Sequence, residues 1–235
     1  HRGDWQQPED PVPPGDLTVL YPEGSPEWAI PEDDPNLPTS GRRLAYARRI
    51  TDGEHPLLPR VIVNRVWMHH FGRGIVATPS DFGTQGERPT HPQLLDWLAS
   101  EFIDGGWSLK YLHRLMMTST AYRQTSQRTP ALEAVDPLNT LYGRMSVRRL
   151  EAEAVRDSIL AVSGQLDSRQ FGKPTPVSER SGEIVLAEGE GSERLRRSLY
   201  AEARRSKLLS MLDIFDAPQM EPNCTLRNIS TVAPQ

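Results

Sequence analysis

A helix that is apolar around nearly its whole circumference has one stable place in a globular chain, and that place is the centre. The segment Pro59–Phe71 reads as such a helix. Pro59 suits a first helical turn, and Gly72 follows as a stop. Val61, Ile62, Val63, Val66, Trp67, Met68 and Phe71 occupy almost every face. The rest of the compact chain must therefore cover this segment. Its polar members, Asn64, Arg65, His69 and His70, are carried into or beside the core, so they are the first candidates for a catalytic centre.

The neighbouring segments supply that cover. Ser40 suits an N-cap, with Leu44, Ala47 and Ile50 at helical spacing behind it. Thr90-His91-Pro92-Gln93 has the letters of a capping box and opens a helix with Leu94, Leu95, Leu98, Phe102 and Ile103 inward. Ser108 caps a further helix after Gly105-Gly106, and so short a join predicts a helical hairpin. A long loop rich in glycine and proline, residues 72–89, lies between the central helix and this hairpin. Long loops inside compact domains are often functional. Residues 118–139 read as loop, and a helix is expected from about Val147 to Ser163, with Leu150, Val155, Ile159 and Val162 inward. Arg197–Arg205 alternates as a strand does, and Leu208–Phe215 reads as a short helix.

Together these readings predict a mainly α protein. A single irregular helical domain is expected over residues 40–235, truncated at its C-terminal end. It has long loops, a mobile insertion at about 164–194, and at most a small β element around Arg197–Arg205. Residues 1–39 read as an extended proline-rich arm, the tail of a preceding domain. The chain opens on His1 and stops at Ala233-Pro234-Gln235, so it reads as an excised piece.

Composition removes several function classes. The net charge of -4 offers no basic face for nucleic acid. No apolar run is long enough for a membrane span within this piece. The one cysteine, Cys224, rules out an internal disulfide, a cysteine-rich zinc site and a C-x-x-C-H haem attachment here.

The remaining chemistry centres on few residues. His69 and His70 are helix neighbours that point about 100° apart, and neither has a helical partner at metal-ligand spacing, so no metal is expected. Asp81 in the glycine-rich loop could orient a histidine as a general base, or simply close an Asx-turn. Asp216 is the alternative acidic partner. Arg149, Glu153 and Asp157 form a charged ladder at i,i+4 spacing, ordinarily a solvated helix face. The Glu153–Asp157 like-charge step needs a cation between its members. There is no nucleophile elbow, and Ser119, Cys224 and Thr231 are nucleophiles by type only.

Several ordered blocks carry a family resemblance. They include Gly41-Arg42-Arg43-Leu44-Ala45, the run from Arg60 to Gly74 and Asp81-Phe82-Gly83-Thr84-Gln85-Gly86. Further blocks are His91 to Ala99, Gly106 to Lys110, Ser119 to Gln124, Arg149 to Glu153 and Arg227 to Gln235. They resemble the planctomycete-type domain of unknown function number 1553, also called the planctomycete PSD domain. The resemblance implies a large exported bacterial protein, periplasmic, on the cell surface or secreted. It also implies company with a further domain of unknown function, with a planctomycete-type cytochrome c domain upstream and with lectin-like modules. Any haem would then belong to that absent upstream domain, and this piece itself carries no cofactor. The family supplies no catalytic residues.

Three readings follow. The first is a module acting on the cell envelope or on extracellular polysaccharide alongside a cytochrome c domain, with polysaccharide or another domain of the same protein as partner. The second is a non-catalytic structural or interaction module. The third is a hydrolase that uses His and Asp. Whether the chain is an enzyme stays open at this stage. A site is to be sought where Asn64, Arg65, His69 or His70, Asp81 and Arg227 converge. The hydrolase reading requires His69 or His70 to approach Asp81 or Asp216, and Arg123, Arg149, Glu153 and Arg227 are the ligand-binding candidates.

Overall fold

A computed structural model describes residues 10, 15–20, 35–36, 38–187, 192–204 and 206–218. The proline-rich arm lies largely outside these residues. The described chain is mainly helical with one small antiparallel hairpin. The sequence reading draws one body from Ser40 onward. The structure divides the chain into two compact units, residues 1–145 and 146–235.

The first unit holds α1 (Arg42–Ile50), α2 (Leu58–Phe71), α3 (Pro92–Asp104), α4 (Leu109–Thr118) and α5 (Pro130–Val135). Ser40 does not cap α1. Gly41 occupies the N-cap position with φ 70 and offers no side chain. The first turn of α2 is capped by a residue the periodicity does not flag. His55 Nδ1 accepts from the Leu57 and Leu58 N–H groups at 3.2 and 3.0 Å, satisfying donors that open a helix. Gly72, with φ 85, closes α2 by donating its N–H to the Met68 carbonyl at 2.8 Å.

The capping box at Thr90 does not form. Both the N–H and the hydroxyl of Thr90 turn back to the Ile75 carbonyl, at 2.9 and 3.3 Å, and His91 stands at the N-cap. Ser108 does cap α4, accepting from Tyr111 N–H at 3.2 Å. Gly106 and Trp107 both take positive φ, 68 and 59, to turn the α3–α4 hairpin. Within the stretch read as loop, Thr129 caps the short α5 through the Leu132 N–H, and Pro130 fits its first turn.

The apolar faces of α3 and α4 meet the central helix. Val63, Trp67 and Phe71 of α2 pack with Leu95, Leu98 and Phe102 of α3 and with Leu112 and Met116 of α4. Trp67 stacks on Phe71 with ring centres 3.9 Å apart, and Tyr142 meets both rings edge-on. Each fully buried side chain of this size contributes roughly 1.5–3 kcal/mol. α2 is not buried all round, however. Arg65 and His69 are exposed, so one polar stripe of the helix reaches solvent.

The second unit contains α6 (Ala152–Val162), the hairpin β1 (Val177–Arg180) with β2 (Glu183–Leu186), and α7 (Ser210–Ile214). Ser181 and Gly182 join the strands, both with positive φ, which is the backbone of a tight hairpin turn. The small β element therefore lies at 177–186 and not at Arg197–Arg205. In the latter segment Ser198–Tyr200 forms a 3-10 turn, and Ala201 makes only an isolated bridge to Thr175. Val177, Ile184 and Leu209 form the apolar core of this unit. Residues 164–187, read as part of an insertion, thus supply core residues.

α6 begins at Ala152, five residues later than the apolar pattern indicates, because Glu151 is extended. Leu150, Ile159 and Val162, expected inward, are exposed. Ala152, Val155 and Arg156 are the buried face.

Candidate functional site

The junction of α2 with the glycine-rich loop forms, but its polar residues do structural work. Asn64 is completely buried. Its Nδ2 donates to the Val76 carbonyl at 2.9 Å, and its Oδ1 accepts from the Val76 N–H at 2.8 Å. One amide side chain thus completes the peptide of a loop residue as a neighbouring strand would. Gly74 makes the approach possible, since a Cβ there would press on the Val76 carbonyl and lie 2.8 Å from Asn64 Nδ2. Asp81 closes an Asx-turn, with Oδ1 accepting from Gly83 N–H at 2.8 Å. Thr78 ties the same loop by donating its hydroxyl to the Asp81 carbonyl at 2.7 Å and accepting from Glu87 N–H at 3.0 Å.

The other candidates of this unit do not gather at that junction. His70, half-buried, shares a hydrogen bond with His113 of α4 (Nε2 to Nδ1, 2.8 Å) and meets Tyr122 edge-on. No hydrogen bond joins Asp81 to His69 or His70 among the described residues. Arg123 is exposed and donates from Nε to the Ser119 carbonyl at 3.4 Å. Ser119 is held by its own helix end, donating to the Met116 carbonyl at 2.6 Å. Burial raises the Tyr142 phenol above the ordinary tyrosine range, opposed by the Trp67 side chain, the Arg73 charge and Thr90. Arg227 and Cys224 lie outside the described residues. Among the described residues no group of three or more His, Cys, Asp or Glu side chains is placed to hold a metal ion. No described helix is long and apolar enough to cross a membrane.

The second unit carries a denser polar centre that sequence reasoning did not identify. Arg156 of α6 is 6 % exposed. It donates to the carbonyls of Arg194 at 2.6 Å and Arg196 at 2.9 Å, and to Ser198 Oγ at 3.2 Å. Burial lowers its pKa, with Asp157 opposing. Asp157 Oδ1 accepts from the N–H and hydroxyl of Ser198 at 2.7 and 2.8 Å. Its carboxylate also lies 3.5 Å from Arg156 and 3.4 Å from Arg197. Arg156 and Arg197 are thus the cationic neighbours of Asp157. Arg149 precedes the helix and is exposed, so its spacing to Glu153 is not the helical step that the sequence suggests. Glu153 contributes its backbone carbonyl to Ser198 Oγ at 3.4 Å. Asp216 follows α7 in this unit with φ 58.

Beside this centre opens a cavity of about 680 Å³, lined by Arg169, Phe171, Lys173, Arg196, Glu193 and Glu202 among others. Its size falls in the range of small-ligand sites. Arg196, 7 % exposed, forms its inner wall. It donates to the carbonyls of Lys173 (3.1 Å) and Phe171, and its guanidinium carbon lies 4.0 Å from the centre of the Tyr200 ring. Phe171 is 79 % exposed and has φ 65. Its N–H donates to the Tyr200 hydroxyl at 3.1 Å. A bulky side chain in this backbone region costs about 1 kcal/mol or more. Both peptide groups flanking the ring are anchored, so the strain is held in place and the ring is presented at the cavity mouth.

The rim is fixed by a further carboxylate. Asp167 accepts from Arg169 Nε at 2.8 Å, Arg169 N–H at 3.0 Å and Ser192 Oγ at 2.6 Å. Arg169 and Ser192 hold its carboxyl well below the usual carboxylate range.

A helical unit and a smaller mixed unit, each organised on buried polar side chains, define a mainly helical class of protein with one small β element. The sequence comparison gives that class a family. The chain belongs to the family PSD1, protein of unknown function (DUF1553), whose sequence profile matches residues 42–235. No curated protein matches the chain, and no solved structure does.

Proposed function

We propose that this chain is a glycan-binding module of an exported, planctomycete-type multidomain protein. In this reading it works at the cell envelope or on extracellular polysaccharide. A cytochrome c domain elsewhere in the protein carries any haem. The observation that supports glycan binding is Phe171, an exposed ring on an anchored, strained backbone at the mouth of a polar cavity. A sugar presents an apolar C–H face and a rim of hydroxyls. An aromatic platform beside charged hydrogen-bonding groups complements both. The expected partner is therefore polysaccharide, and the expected location is periplasmic, on the cell surface or secreted.

Affinity electrophoresis of the 235-residue chain through gels containing polysaccharides tests this reading. Retardation that is lost in Phe171→Ala supports it. Equal mobility of both proteins in every gel overturns it.

A structural or interaction role is the second reading. It is favoured by Asn64 and Asp81, whose polar atoms close internal backbone contacts. The His/Asp hydrolase has weaker support, since the His70 ring bonds His113 and the Asp81 carboxylate bonds Gly83.

A further inference from the structure

The cavity of the second unit has an electrostatic asymmetry that narrows its ligand. Two of its charged groups are already engaged. Arg169 lies 2.7 Å from Asp167, and Glu202 lies 3.6 Å from Arg204 while also accepting from Val177 N–H at 3.1 Å. Arg196 is different. It is nine-tenths buried; among the described residues its cation meets two carbonyls and the Tyr200 ring, and its Nε has no hydrogen-bond partner. Among the described residues no carboxylate lies within ion-pairing distance of it. Lys173, next to the Phe171 platform, likewise has no ion pair or side-chain hydrogen bond among the described residues. Against these cations stands Glu193 on the same wall. A buried cation without a counter-charge is costly unless something supplies one.

We propose that this cavity binds an acidic sugar, a residue whose carboxylate or sulfate ester meets Lys173 and the Arg196 edge while its ring face lies on Phe171. The inference rests on the glycan reading above and specifies its chemical class. The rest of the molecule offers no general attraction for such a ligand, since the chain carries a net charge of -4. A polyanion that binds must therefore find a local site.

The test is calorimetric titration of the whole chain, and of its Lys173→Gln and Phe171→Ala forms, with polygalacturonate, dextran sulfate and neutral dextran. Lys173 is exposed and its side chain supports no internal contact, so Lys173→Gln folds normally by circular dichroism. The expected result is tighter binding of one or both acidic polymers than of dextran. Lys173→Gln then weakens acidic binding by about tenfold, the worth of one charge-assisted hydrogen bond, and leaves dextran unchanged. A preference for polygalacturonate assigns the carboxylate, and a preference for dextran sulfate assigns the sulfate ester. Dextran binding as tight as that of the acidic polymers, or acidic binding unmoved by Lys173→Gln, overturns the acidic specificity. If Phe171→Ala still weakens binding in that case, the glycan reading stands. No binding of any of the three overturns both.

Discussion

The side chain of Asn64 and the peptide of Val76 form a closed, reciprocal pair, with donor and acceptor on each side separated by 2.9 and 2.8 Å. Only a primary amide has this shape. Asn64→Leu removes both contacts and leaves the Val76 N–H and carbonyl buried without partners, a cost of about 2–5 kcal/mol. Asn64→Asp keeps the acceptor, loses the donor and buries a charge, so it recovers nothing. Denaturant unfolding followed by tryptophan fluorescence measures this, since Trp67, Trp97 and Trp107 lie in the first unit and residues 146–235 contain no tryptophan.

Two glycines separate steric need from backbone need. Gly74→Ala drives a methyl group against Asn64 and the Val76 carbonyl, and should cost about 1–3 kcal/mol through overpacking. Gly106→Ala meets nothing within 4 Å and carries only the penalty of its φ, +68, about 1 kcal/mol. A Gly106 variant that destabilises more than the Gly74 variant would contradict this account.

In the second unit, Arg156→Ala strands the Arg194 and Arg196 carbonyls and removes the donor to Ser198 Oγ, whose own donors still meet Asp157. A loss of about 3 kcal/mol or more is expected. Arg156→Lys restores part of it at most, because one ammonium cannot span the fork. Hydrogen exchange at the Ile184 amide, in the hairpin core, reports the change as faster exchange.

The ring at the cavity mouth should trade stability for binding. Phe171→Gly relieves the positive φ and removes little buried surface, so the unit gains about 0.5–1 kcal/mol. The same change removes the platform and abolishes polysaccharide retardation. Thermal unfolding of the two forms decides it, and a lower midpoint for Phe171→Gly would show that the ring serves packing instead.

Asp167 sets the acid limb of stability. Its folded pKa is depressed, so its contribution is complete above the ordinary carboxylate pKa and shrinks steadily as pH falls below it. It vanishes only in strong acid. The stability difference between the parent chain and Asp167→Asn, measured at intervals from neutral pH downward, should close along that course. A difference that widens on acidification would reverse the sign.

The parts of this architecture that rest on strong local rules are legible in the sequence. The apolar periodicity of Pro59–Phe71 marks the central helix, and Ser108 marks the start of α4 correctly. The hydrophobic alternation of Arg197–Arg205 misleads, because a 3-10 turn followed by extended chain can imitate a strand. The true hairpin has a signal, Ser181-Gly182 between the opposite charges of Arg180 and Glu183, within a stretch rich enough in glycine and serine to read as loop. The candidate site is legible only in part. Asn64 and Asp81 stand out by type, yet their partners are backbone atoms, and no letter of the sequence marks a peptide group as a partner. Arg156 and Arg196 escape notice for the same reason. His70 and His113 are 43 positions apart, and only the packing of α4 on α2 brings them together.

That use of backbone partners has an evolutionary consequence. Arg156 and Arg196 grip the carbonyls of residues 194, 196, 171 and 173, and every amino acid has a carbonyl. The side chain at 173, and that at 171 within the limit its positive φ sets, can therefore change while the scaffold beneath them stays fixed. A lineage can exchange Phe171 and Lys173 for other residues, and so change what the cavity mouth presents, without first redesigning the fold beneath them.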